Sequence, residues 1–356
     1  MRGRTDNQVV PTLPTVDVVI PCYNYAHFLP VCVRSVLDQP GVDVRVLVID
    51  DTSSDDTPEV MARLMAADKR VEGYRHEVNR GHIATYNEGL LDWANADYTV
   101  LLSADDLLAP GALQRAAAVF ERNPDVGMVY GRVVYYSDHT ALPRVARLPV
   151  TSKVWRGEEW IANRFRSSRN VISSPEVVVR TEVQQKVGGY RSDLPHAGDL
   201  EMWLRIAAVS DIGYVSGRPG AYYRVHENSM MRTTFKSVFA DLEQRRDVFD
   251  LVLEQNPGLP GHLRALARKA IAADALWRAV RLHDRDRLDG TEAELLAFAR
   301  ETYPDLEELP EHRALLRRGR FSPALLNRTQ LFLAPHAYKR AKLWAGTQHW
   351  KWRGEW

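Results

Sequence analysis

Apolar residues arrive in the first half of the chain as short unbroken runs: VDVVIP (16–21), VRVLVID (44–50), YTVLLSA (98–104) and VGMVYGRVVYY (126–136). Valine dominates them. They lack the alternation of a strand wetted on one face, so each predicts a strand buried on both faces of a parallel sheet. Helical patterns separate the runs. In TPEVMARLMAA, Val60, Met61, Leu64 and Met65 recur at helical spacing, with Thr57 and Pro58 set as N-cap and first turn. HIATYNEGLLDWA does the same with Ile83, Tyr86, Leu90 and Trp93, and PGALQRAAAVFERNP opens at Pro110 and stops before Pro124. Strand, helix, strand, helix predicts right-handed βαβ units and an α/β, doubly wound, mostly parallel sheet.

The pattern then changes. Residues 138–170 are polar, arginine-rich and irregular apart from a helix predicted at GEEWIANRF. A strand in SPEVVVR (174–180), a Gly188–Gly189 turn, a helix over DLEMWLRIAAV (199–209) and short strands at IGYVS and AYYRV follow. From about Lys236 the periodicity is helical throughout, in DLEQRRDVFDLVLEQ, HLRALARKAIAADALWRAVRL and TEAELLAFARE. A boundary near 235 therefore separates residues 1–235 from an α-helical C-terminal region, 236–356, suited to acceptor, oligomer or membrane-surface contacts.

Composition narrows the class. A chain of 356 residues exceeds one minimal core, and its 45% apolar and 26% charged residues are those of an ordinary soluble protein. The net charge of +1 gives no field that would recruit nucleic acid. Cys22 and Cys32, the only cysteines, show no metal-ligand or disulfide spacing, which suits a reducing compartment. The opening MRGRTDNQVVPTLPT lacks the apolar centre of a signal peptide, and no run approaches the roughly 18 apolar residues that span a bilayer. A cytoplasmic protein is expected. Near the other end, LFLAPHAYKRAKLWAGTQHWKWRGEW interleaves Trp344, Trp350, Trp352 and Trp356 with lysines and arginines. That suits an anionic membrane surface, or a helix packed on the catalytic part or a second subunit, and packing is the preferred reading.

A doubly wound sheet binds ligands beyond the carboxyl ends of its strands. After the first strand comes PCYNYAHF, with no glycine, and neither GxGxxG nor GxxxxGK[ST] occurs there, so phosphates must be neutralised by another route. The second strand ends in IDDTSSDDT. Asp50 and Asp51 stand at its tip as acceptors for a base N–H or ribose hydroxyls, while Asp55 and Asp56 suit turn and capping duty. YTVLLSADD ends in Asp105 and Asp106, with no basic residue within five positions. Two adjacent acids raise each other's pKa, and a divalent ion bridging a diphosphate supplies the missing positive charge. An acidic first turn before the following helix is the plainer alternative. Asp199 is either the N-cap of its helix or a general base for an incoming hydroxyl, with Glu201 a weaker candidate for that task. In YYRVHENSM, Arg224 and His226 follow a strand, where the histidine reaches a phosphate or the metal or is simply structural.

Together VVIPCYNYAHFLPVCVRSVLDQ, VLVIDDTSSDDT, NRGHIATYNEGL, LLSADDLLAPGAL and GDLEMWLRIA resemble, in order and spacing, the inverting family-two glycosyltransferases of GT-A fold. YRVHENSM is similar to the segment that often closes their domain. The likeness covers roughly residues 14–232. It implies a nucleotide-diphosphate sugar donor, UDP foremost, and a divalent metal, Mn2+ or Mg2+. Pro21, Tyr23 and Asn24 match the first nucleotide loop. Asp50 and Asp51 match the acids near base and ribose, and Arg80 with Gly81 match a second nucleotide loop. Ser103, Asp105 and Asp106 match the metal motif, and Asp199 matches the catalytic base. Ser103 stands where many members have aspartate, and Gly198 where an acid usually precedes the base. The implied acceptor is a carbohydrate, lipid-linked or small-molecule hydroxyl. Two other classes stay open: a sugar nucleotidyltransferase, whose glycine- and base-rich first loop is missing here, and a non-catalytic nucleotide-sugar binder.

Overall fold

A computed structural model of the chain describes residues 12–137, 141–143, 145, 148–226, 238–284, 291–321, 341, 344–346 and 349. The elements run β1 (Thr15–Cys22), α1 (Leu29–Leu37), β2 (Asp43–Asp50), α2 (Thr57–Ala67), β3 (Val71–Arg75), α3 (His82–Asn87), β4 (Tyr98–Leu101), β5 (Leu107–Leu108) and α4 (Ala112–Arg122). They continue as β6 (Val126–Tyr130), β7 (Val133–Ser137), β8 (Thr151–Trp155), α5 (Gly157–Ser167), β9 (Val177–Arg180), α6 (Thr181–Val187), α7 (Gly198–Ala207), β10 (Asp211–Ser216) and β11 (Ala221–Val225). Four helices follow: α8 (Val238–Gln255), α9 (His262–Asp284), α10 (Thr291–Thr302) and α11 (Pro310–Arg318).

Eight strands form the main sheet in the order β3-β2-β1-β4-β9-β6-β10-β8, and β5-β11-β7 form a small one. The valine-rich runs lie where their composition predicts: Val18, Val19, Ile20, Val46, Val48 and Ile49 are buried. β1 pairs in parallel with both β2 and β4, so three strand tips open side by side. β9 and β8 run antiparallel to their neighbours. On one face α1 buries Leu29, Cys32, Val33 and Val36, spaced along one helical stripe. On the other face α5, α7 and the C-terminal helices complete a single core in which Phe165 meets Phe249 with ring centroids 4.6 Å apart.

Several expectations are corrected. The run 126–136 is two strands in two sheets, because Gly220 N–H bonds to the Arg132 carbonyl and draws the chain onto the small sheet. Apolar content cannot reveal that exchange, since both halves stay buried or paired. The strand expected over 98–104 ends at Leu101, and Ser103–Asp106 forms a turn closed by Asp106 N–H to the Ser103 carbonyl. The helix expected from Pro110 begins at Ala112, after Gly111 in the left-handed region (φ 71°). Asp56, not Thr57, is the N-cap of α2, and Asp55 holds the Thr57 N–H and hydroxyl. Short strands β3, β5 and β8 are additional. The helix over HIATYNEGLLDWA changes to a π turn at Glu88–Trp93. Among the described residues no helix is long and apolar enough to cross a membrane. The aromatic and basic segment near the C-terminus lies almost wholly outside the described residues; Trp344 within it is exposed.

Candidate active site

The tips of β1 and β2 are stitched together by polar side chains. Asn24 and Thr52 both take positive φ, 59° and 67°, uncommon for residues with a side chain. Asn24 N–H donates to Ser53 Oγ (2.9 Å), and Asn24 Oδ1 accepts from Ser54 N–H (2.7 Å). Asp55 reaches across to accept the Ala26 N–H at 3.0 Å, whereas the Asp56 side chain makes no capping bond. Pro21 lies in β1 opposite Ile49, and Tyr23 is 51% exposed at the rim.

Asp50 is fully buried; its Oδ1 accepts the Ser53 N–H (2.9 Å), and Arg75 Nε lies 3.6 Å from Oδ2. Asp51 is the organiser of the next loop. Its carboxylate contacts His76 Nδ1 (2.8 Å) and accepts the N–H groups of Arg80 (2.7 Å) and Gly81 (2.9 Å). At position 81 it is the positive φ of 79° that calls for glycine, not lack of room, since a Cβ there would meet nothing. The Arg80 guanidinium, half exposed, pairs with Glu88. Both acids thus turn inward and shape loops.

The turn after β4 presents Ser103, Asp105 and Asp106. The positive partner that they lack locally comes from β11, as Arg224, and the residue just after that strand, His226, also reaches them. Asp106, buried, accepts the Arg224 N–H (2.8 Å), and Arg224 Nε donates to the Asp105 carbonyl (2.8 Å). The Arg224 guanidinium stacks 4.1 Å from the Phe28 ring. His226 Nε2 lies 2.9 Å from Asp105 Oδ2 and packs against Tyr25 and Phe28. Burial, and then the Asp105 charge, hold the Asp106 carboxyl well above the usual carboxylate range. No group of three or more His, Cys, Asp or Glu suited to a metal occurs among the described residues. The Asp105–His226 pair, one oxygen and one nitrogen donor side by side, nonetheless suits a divalent ion that draws its other ligands from phosphate and water.

Asp199 is the second residue of α7, behind an N-cap at Ala197, so it does not cap its helix. Its Oδ2 accepts from Ser174 Oγ at 3.1 Å, and Tyr190 also hydrogen-bonds to the carboxylate. Burial pushes its pKa up to about 6, against the pull of those two hydroxyls. Tyr190 is set in place from far along the chain: Asn87 Oδ1 accepts its N–H (2.6 Å) and Asn87 Nδ2 donates to its carbonyl (2.8 Å). A Cβ on Gly189 would lie 2.4 Å from Asn87 Oδ1, so the Gly188–Gly189 turn is what permits this clamp. Glu201, the alternative base, is buried and held by Arg205 through two bonds of 2.9 and 2.6 Å. It is unavailable. Burial and the charges of Asp199 and Asp105 raise the Tyr86 hydroxyl's pKa; burial and Asp106 raise that of Tyr223. Sequence reasoning did not single out Ser174, Asn87, Tyr190 or Tyr223, and only the paired glycines before Tyr190 hinted at them.

Residues 17–181 match glycosyl transferase family 2. An uncharacterized protein of Mycobacterium tuberculosis, MT1568, is 30% identical over 251 residues, covering 68% of this chain and 75% of that one. The chondroitin synthase of Pasteurella multocida is 26% identical over 57% of this chain, which spans only 20% of the synthase. Among solved structures, residues 1–349 of S. aureus TarS, crystallised with UDP-GlcNAc, superpose with a TM-score of 0.54 at 14% identity, covering 83% of this chain and 92% of that one. The chain belongs to glycosyl transferase family 2, with the GT-A fold, and is a sugar-transferring enzyme.

Proposed function

We propose that the protein is a metal-dependent, inverting hexosyltransferase that moves a sugar from a nucleoside-diphosphate donor to an acceptor hydroxyl, in glycan, polysaccharide or natural-product glycosylation. Asp199 carries the reading: a carboxyl with a pKa of about 6, positioned by two hydroxyls, beside tyrosines that also feel Asp105 and Asp106. Such a group is ionised near neutral pH and still basic enough to take a proton. The Asp199 carboxylate removes the acceptor proton as that oxygen attacks the anomeric carbon. The carbon–oxygen bond to the diphosphate breaks, and its electron pair leaves on the phosphate oxygen. One displacement inverts the anomeric centre.

A divalent ion held by Asp105 and His226, with Asp106 behind them, would supply positive charge to the departing diphosphate. Pro21, Tyr23, Asn24 and Ser103 border the nucleotide site, and Asp50 and Asp51 shape the loops, including Arg80 and Gly81, that receive base and ribose. In this proposal residues 1–235 carry the donor chemistry and 236–356 the acceptor, subunit or membrane-surface contacts. The two free, buried cysteines support a cytoplasmic setting. UDP is the first nucleotide to test, supported by the shared fold with a UDP-GlcNAc-bound neighbour.

The test is a panel of nucleotide sugars with Mn2+, read by release of the nucleoside diphosphate. Asp199→Asn is expected to lose transfer while donor affinity, measured calorimetrically, stays near that of wild type. EDTA is expected to lower both. Comparable turnover by Asp199→Asn would overturn the base assignment, and pyrophosphate release would point to a nucleotidyltransferase instead.

A further inference from the structure

β7 and β11 pair in parallel, and Tyr135 stands directly opposite Tyr223. Their rings share one face of the small sheet, with centroids 5.4 Å apart and planes tilted by 58°. Neighbouring residues turn to the opposite face, where the Arg224 guanidinium covers the Tyr136 ring at 4.7 Å. That face is filled; on the other, Tyr135 is 60% exposed and Tyr223 is half-buried. The pair is bracketed by the chemistry already described. The Tyr135 hydroxyl lies 3.4 Å from Ser173 Oγ, and the next residue, Ser174, donates to Asp199. At the other end, Tyr223 is followed in β11 by Arg224, which binds Asp105 and Asp106.

We propose that Tyr135 and Tyr223 form a stacking platform for a pyranose ring of the acceptor, and that the acceptor is therefore a carbohydrate. An aromatic face is negative and receives the C–H groups that a pyranose presents on its less polar side. The ring's hydroxyls need polar partners around that contact, and Ser173 stands there. A lipid chain would need a continuous apolar groove, whereas the exposed Tyr135 ring is edged by the Ser173 hydroxyl. The platform serves acceptor rather than donor because its polar contact is to Ser173, whose neighbour in sequence, Ser174, bonds Asp199, the side on which the attacking hydroxyl arrives. The inference rests on Asp199 being the base.

The experiment uses the full chain, the nucleotide sugar found active in the hydrolysis panel, and methyl α- and β-hexosides as acceptor probes. Tyr135→Ala is expected to raise the acceptor KM by about tenfold, the loss of one good aromatic contact, while the donor KM stays within about twofold. Tyr135→Phe and Tyr135→Trp are expected to keep the acceptor KM near the wild-type value, which a role for the hydroxyl alone would not allow. An unchanged acceptor KM in Tyr135→Ala overturns the platform. So does a raised donor KM, which would assign the rings to the donor sugar. A wild type that releases nucleoside diphosphate but glycosylates no hexoside overturns the carbohydrate assignment. A wild type that binds no nucleotide sugar sinks the transferase reading beneath it, a distinct result.

Discussion

Asp199 and Glu201 are two positions apart on one helix and have opposite characters. Glu201 is buried against Arg205, which also binds the carbonyls of Val187 and Gly189, so its charge is neutralised in place. Among the described residues Asp199 has no cation beside it and is held by neutral hydroxyls, so burial lifts its pKa to about 6. With Asp199 as the proposed base, which must be ionised, transfer is expected to be at its plateau above that value and to fall about tenfold per pH unit below it. Tyr190→Phe removes a donor that favours the ionised form. A pH–rate profile of this variant should therefore show its acid limb moved to higher pH. An unmoved limb would mean that Tyr190 does not set the base.

Elements at the site are aimed by contacts distant in sequence. The π turn after α3 lets Gly89 sit against Val19, where a Cβ would lie 2.2 Å from Val19 Cγ1, and the same segment delivers Asn87 to Tyr190. At the other end of α7, Gly157 opens α5 with its backbone pressed on the helix terminus: a Cβ would lie 1.9 Å from the Ala207 carbonyl oxygen and 2.5 Å from that of Ser210. Backbone atoms cannot step aside as a flexible side chain can. Gly157→Ala is accordingly expected to destabilise the fold by about 1–3 kcal/mol, the usual cost of overpacking. A thermal melt checks it, and a Tm equal to that of wild type would show that α5 shifts freely.

At the scale of the molecule, the C-terminal helices are part of how the start of α7, and with it Asp199, is held. Gln244 of α8 accepts the N–H groups of His196 and Ala197, just ahead of α7 (2.9 and 3.0 Å). Arg245 and Arg278 bridge Asp241 and Asp274, tying α8 to α9, and Arg245 also binds the Ser168 carbonyl after α5. Leu242, Val248, Phe249, Ile271 and Leu276 belong to the same core as Met202, Trp203 and Ile206 of α7. Residues 1–235 expressed alone would expose that apolar face to water. They are expected to aggregate or to melt well below the full chain, by light scattering and circular dichroism. A stable, monomeric 1–235 would contradict this.

Much of this was legible in the chain. Unbroken valine-rich runs are what strands covered on both faces require, and the acids placed after those runs must fall at the ligand edge of a parallel sheet, because strand direction and burial are local properties. Asp105 and Asp106 were found that way, as was the absence of a glycine loop; Asp199 was read instead from the start of its helix. What each acid does was not local. Whether Asp51 faces a ligand or a loop depends on His76, Arg80 and Gly81; whether Glu201 or Asp199 is free depends on Arg205; the partner of Asp105 arrives on His226, 121 residues later. Ionisation and availability are set by burial and neighbours in space, so periodicity and motif order determined the sheet and its acidic edge, and tertiary packing alone decided which carboxylate is held by backbone, which is paired with a cation and which is held by neutral hydroxyls.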